Sequence, residues 1–112
     1  MKSKVIACVT AAGLTAAGFS AFAVADDTGL AASHALRKEG GKTCFTDHYH
    51  SGSGDGATKD TARAVAARDW AGFVDFEYGS DWARFSRAAS VSVKYTKAEK
   101  GWTAWIEARP CK

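Results

Sequence analysis

The stretch ASVSVKYTKAEKGWTAWIEAR, residues 89–109, decides the fold, because its apolar side chains recur at every second position. Two alternating runs joined by the short polar turn Ala98–Gly101 predict an antiparallel β-hairpin. The predicted cross-strand pairs are Lys97 with Trp102, Tyr95 with Ala104, Val93 with Ile106 and Val91 with Ala108. A slip by one residue would expose the apolar members of these pairs, so the register is well specified.

Residues 57–78 predict a helix. Thr58 is a suitable N-cap, Asp60 adds negative charge to the first turn, and Gly79 stands where a helix commonly stops. Apolar residues recur at helical spacing at Ala62, Val65, Ala66, Trp70, Phe73 and Val74. The sequence therefore predicts an α+β fold, with one long helix packed on a twisted antiparallel β-hairpin through Trp70 and Phe73.

The first 25 residues have the organisation of a cleaved secretory signal peptide. Lys2 and Lys4 precede the uncharged run 5–22, and Ala23-Val24-Ala25 offers a cleavage site. We expect residues 26–43 to be a mobile N-terminal segment and residues 44–112 to form one small domain. This interpretation predicts a periplasmic or secreted protein with no stable membrane span after cleavage, and a monomer.

Charge and cysteine content narrow the class of protein. The chain has 15 basic and 12 acidic residues, and two of the basic ones leave with the signal peptide. The nearly neutral remainder argues against a nucleic-acid partner.

Cys44 and Cys111 are the cysteines that follow the predicted cleavage site, and in an oxidising compartment we expect them to form one disulfide. Closing so long a loop is worth about 4 kcal/mol in the chain-entropy account.

The stretch between Cys44 and Gly56 is predicted to be a glycine-punctuated loop. It contains Asp47-His48-Tyr49-His50, in which the two histidines project to the same side if the chain is extended. With Asp47 or Asp55 they could provide three ligands for zinc, nickel or copper. The alternative is a surface loop with two solvated histidines, and the spacing alone does not decide between them.

Tryptophan content suggests a second kind of site. Trp70 and Trp102 fit the core, whereas Trp105 falls on the polar face of the hairpin. An exposed tryptophan flanked by hydrogen-bonding groups can stack on a sugar or anchor a protein. The predicted binding surface comprises Trp105, Arg84, Lys94, Arg109 and Trp82. The alternative is that another segment of the chain covers Trp105.

Several short motifs between Ala62 and Cys111 occur together in a recognisable order. They are an Ala-rich helix, Tyr78-Gly79, Trp82-Ala83, Gly101-Trp102 and Ala108-Arg109-Pro110-Cys111. In this respect the chain resembles small exported proteins of unknown function from alphaproteobacteria. The resemblance implies a helix-plus-hairpin fold, and a cysteine pair of some relatives corresponds to Tyr95 and Ala104 here. It implies no activity.

These observations favour a non-enzymatic exported domain that binds a glycan or an envelope protein. The first alternative is a periplasmic protein that binds zinc or copper through His48, His50 and Asp47. The second alternative is a small hydrolase. Asp75, Glu77 and Asp81 are close together in the sequence and could act as a pair of acids. A solvated helix end accounts for these three acids equally simply.

Overall fold

The computed structural model describes residues 29–112. The predicted signal peptide and its cleavage site lie outside the described residues. The regular elements are strands β1 (Leu36–Glu39), β2 (Lys42–Phe45) and β3 (His50–Gly56), helix α1 (Lys59–Tyr78), and strands β4 (Ala89–Ala98) and β5 (Gly101–Arg109). Single 3-10 turns occupy Leu30–Ser33, Ser80–Trp82 and Phe85–Arg87. The α+β class is confirmed.

Helix α1 begins and ends as its sequence predicts. The Thr58 side chain accepts a hydrogen bond from the Thr61 amide at 3.1 Å, and Gly79, at φ 102°, donates its N–H to the Asp75 carbonyl. The buried residues follow four-residue steps at Ala62, Ala66, Trp70, Val74 and Tyr78. The prediction that Phe73 packs in the core is wrong. It lies beside this stripe rather than on it, and is 54% exposed.

The β4–β5 hairpin is confirmed over most of its length. Lys97 pairs with Trp102, and the next two predicted pairs follow in the same register. The register shifts between Ala89 and Ser92, where Ser90 takes a positive φ of 53°. The predicted pairing of Val91 with Ala108 therefore fails, and Val91 is 42% exposed.

The β4–β5 hairpin is extended to a three-stranded sheet by β3, a segment that we expected to be a loop. It pairs with β5, so the sheet order is β3-β5-β4. Gly52, Gly54 and Gly56 alternate along β3 and meet the backbone of α1. A Cβ added at any of the three would come closer than 3.0 Å to helix backbone atoms. Since no side chain intervenes, α1 lies directly on the β3 backbone.

The N-terminal part of the described chain forms a second, two-stranded sheet. We expected residues 26–43 to be a mobile segment, and from Leu36 to Phe45 β1 and β2 form an antiparallel hairpin. Thr43 exchanges two backbone hydrogen bonds with Lys112, at 2.7 and 2.8 Å. These hydrogen bonds join the β1–β2 hairpin to the segment that follows β5.

The Cys44–Cys111 disulfide is confirmed and joins β2 to the end of the chain. Next to it, the buried Phe45 ring stacks on Trp82 with ring centroids 4.7 Å apart. Trp70 lies in the core as predicted, and its Nε1–H donates to the Ala108 carbonyl at 3.2 Å. Within residues 29–112, no helix combines the length and apolar character needed to cross a membrane.

Candidate metal centre

All three histidines of the chain lie close together at one end of α1. His34 follows the first 3-10 turn, His48 lies between β2 and β3, and His50 is the first residue of β3. Glu77 and Tyr78 form the last turn of α1 against them. Four separate segments therefore contribute side chains to this histidine cluster, defined as His34, His48, His50, Glu77 and Tyr78.

Three members of the cluster have the spacing of metal ligands. The Nε2 atoms of His48 and His50 are 3.1 Å apart, and a carboxylate oxygen of Glu77 lies 3.3 Å from Nε2 of His50. One ligand atom from each of the three lies within 4.8 Å of the others. Nitrogens bound to one tetrahedral zinc ion at 2.0–2.1 Å are about 3.4 Å apart. The side chains therefore already have nearly the separation that a shared ion requires.

The strand and the helix explain this convergence. His50 pairs with Ala108 in the β3–β5 ladder, and both lie on the face of the sheet that α1 covers. His48 is two residues earlier, so an extended chain directs it to the same side. Because α1 lies directly on the glycines of β3, its last turn reaches this end of the strand. The Phe45 and Tyr78 rings line the base of the cluster, with centroids 4.7 Å apart.

Burial favours the uncharged forms of the His50 imidazole and the Tyr78 hydroxyl. Desolvation lowers the pKa of His50, an effect that Glu77 opposes and that His48 and His34 reinforce. Desolvation, together with Glu77, raises the pKa of the Tyr78 hydroxyl. At neutral pH His50 is therefore an uncharged imidazole, which is the form that binds a metal. Tyr78, 3.0 Å from Nε2 of His50, remains a phenol that can donate a hydrogen bond.

The cluster matches the sequence-predicted metal site only in part. His48 and His50 come together as we expected, but Asp47 is exposed and does not belong to the group. Asp55 accepts a hydrogen bond from the Thr103 hydroxyl at 2.5 Å on the other face of the sheet. Glu77 is the carboxylate that lies beside the histidines. Sequence reasoning missed it because it looked like part of a solvated helix end.

The predicted tryptophan surface is only partly exposed. Trp105 is 45% exposed, and its Nε1–H donates to Glu107 at 3.4 Å. Lys94 is its cross-strand partner on β4 and is exposed, as is Arg84. The strand neighbour on the other side is Ser53 of β3. Trp105 thus lies in the middle of the polar face of a three-stranded sheet.

Two residues assigned to that surface belong to the interior instead. Trp82 is 1% exposed, because its ring stacks on Phe45 beneath the β2 segment. Arg109 is 4% exposed, and its guanidinium donates to both carboxylate oxygens of Glu39 at 2.5 and 2.8 Å. It also donates to the Phe45 carbonyl at 2.6 Å. Arg109 therefore joins the N-terminal hairpin to β5 and is not available to a partner.

Comparison of the chain with protein-family models, with curated proteins and with solved structures finds no match.

Proposed function

We propose that this protein binds a divalent transition-metal ion, zinc or copper, through His48, His50 and Glu77. The observation that supports the proposal is the convergence of two imidazole nitrogens and a carboxylate oxygen within 4.8 Å. The predicted export and the disulfide are compatible with metal binding outside the cytoplasm.

The chemistry of these groups favours zinc or copper over magnesium or calcium. Imidazole nitrogen suits zinc, copper and nickel, whereas magnesium and calcium prefer all-oxygen surroundings. A bound cation would also lie beside the Glu77 carboxylate. The carboxylate and the cation would attract each other, so Glu77 favours the binding of a positive ion.

Isothermal titration calorimetry of the disulfide-bonded protein with Zn²⁺ and with Cu²⁺ tests the proposal. We expect one ion per chain with micromolar or tighter affinity. His50→Ala and Glu77→Gln should each weaken binding by more than about tenfold, because even the loss of a contact that only supports a ligand costs about 10–100-fold in affinity. Asp47→Asn is the matched control, since it removes a nearby exposed carboxylate. Equal losses in Asp47→Asn and Glu77→Gln, or no binding by the unaltered protein, would contradict the proposal.

The exposed Trp105 favours a second candidate function, the binding of an envelope glycan or envelope protein on the open sheet face. An indole flanked by Ser53 and Lys94 presents an apolar surface with hydrogen-bonding groups on both sides. Co-sedimentation with purified peptidoglycan and capture from envelope extract would test it. Trp105→Ala should abolish retention, whereas Phe76→Ala, which removes an 86% exposed ring from α1, should not. Equal retention of both variants would argue against this surface.

A further inference from the structure

His34 is the histidine of the cluster that is not one of the three proposed ligands. Its ring centroid lies 4.8 Å from that of His48, 5.0 Å from Phe45 and 5.3 Å from Tyr78. It is not among the groups whose ligand atoms already lie within 4.8 Å of one another. His34 thus lies next to the proposed ion site without belonging to the group of three.

The hydrogen bonding of His34 prepares one of its nitrogens for a metal. Nδ1 lies 3.0 Å from the Leu30 carbonyl oxygen and 3.3 Å from the Ser33 hydroxyl. A carbonyl oxygen can only accept, so the Nδ1 that meets it must carry the proton. In the neutral ring, Nε2 then has the free lone pair. Metal-binding histidines are commonly oriented by such a contact from the other nitrogen to a backbone carbonyl.

The ring spacing also agrees with a shared ion. Two imidazoles bound to one tetrahedral ion at 2.0–2.1 Å have ring centres about 5 Å apart. The separation of His34 and His48 is 4.8 Å, the same as that of His48 and His50. The His34 ring therefore already lies at the separation from His48 that two imidazoles on one ion would have.

We infer that His34 is the fourth ligand, which closes a site of three histidines and one carboxylate; this inference rests on the proposed metal-binding function. A site with four protein ligands leaves no position for a reacting water, so it holds the ion rather than using it for catalysis. The ion would also join the first 3-10 turn to the end of α1. Binding would therefore stabilise the N-terminal part of the described domain.

Zinc titration of His34→Ala tests this inference separately from the proposed function. The unaltered protein should bind one Zn²⁺, and His34→Ala should still bind one ion with affinity at least tenfold lower. Asp47→Asn, which changes an exposed side chain outside the group of ligands, should bind like the unaltered protein. Unchanged affinity in His34→Ala would overturn the fourth ligand and leave the three-ligand site standing. Failure of the unaltered protein to bind zinc would overturn both.

Nitrogen NMR of the unaltered protein provides a test that does not depend on the folding of a variant. On addition of one equivalent of Zn²⁺, the Nε2 resonance of His34 should shift together with those of His48 and His50. Its Nδ1 should remain protonated, because it keeps the Leu30 carbonyl as its acceptor. A His34 spectrum that does not change while the other two shift would refute the inference.

Discussion

The close contact between α1 and β3 predicts that Gly52→Ala strongly destabilises the domain. A Cβ at Gly52 would come closer than 3.0 Å to the Ala66 carbonyl oxygen and to Trp70 N and Cα. All three are backbone atoms of a helix, so no side-chain rotation can relieve the overlap. Overpacking typically costs about 1–3 kcal/mol, and we expect the upper end of that range here. For a domain of this size, 1 kcal/mol corresponds to roughly 4–8 °C in Tm.

Urea denaturation followed by tryptophan fluorescence and by far-ultraviolet circular dichroism measures this loss. Gly72→Ala is the matched control, because an added Cβ there meets no atom within 4 Å and the residue lies inside α1. Alanine is favoured over glycine in a helix by about 0.8–1.0 kcal/mol, so this variant should be more stable than the unaltered protein. A Gly52→Ala protein as stable as the unaltered one would refute the proposed helix–strand packing.

Three further predictions concern the disulfide, acid stability and the outer face of the helix. Replacing both Cys44 and Cys111 by serine should lower the free energy of unfolding by about 4 kcal/mol, as measured by urea denaturation, and a loss below about 1 kcal/mol would contradict the loop-closure account. The hydrogen bond from Arg109 lowers the pKa of Glu39 from 4.5 to about 2. The stability from this pair should be complete above pH 4.5 and decline as the pH falls towards 2, and thermal melts of Glu39→Gln should show a weaker decline over this window. Phe76→Ser should change the free energy of unfolding by less than about 0.5 kcal/mol, because the ring is 86% exposed, and a larger loss would mean that it packs against something.

The elements that sequence predicts well are those with local signals. The cap at Thr58 and the stop at Gly79 bound α1, and alternation fixes most of the β4–β5 register. Strand β3 has no such signal, because its inward positions are glycines rather than bulky apolar residues. Their role becomes visible only when Ala62 and Ala66 are seen to pack against them. The alternating glycines, which are typical of a loop, here lie in a strand whose backbone contacts a helix directly.

The sequence predicts half of the candidate site, namely the two histidines that are close together along the chain. His48 and His50 are neighbours along an extended segment, so the sequence was sufficient to pair them. Glu77 comes 27 residues after His50 and meets it only because α1 folds back along β3. The approach of His34 depends in the same way on tertiary folding, since His34 precedes the β1–β2 hairpin, which the sequence did not predict. Contacts made through tertiary folding thus supply two of the four proposed ligands.

Zinc X-ray absorption of the protein loaded with one equivalent of Zn²⁺ tests the central claim most directly. The proposed site predicts about four nitrogen and oxygen neighbours at 2.0–2.1 Å, the scattering pattern of imidazole rings and no sulfur neighbour, since Cys44 and Cys111 are joined in a disulfide. Loss of the imidazole pattern in the double variant His48→Ala, His50→Ala would assign it to this cluster. A spectrum of hydrated zinc, or no zinc retained after gel filtration, would contradict the claim.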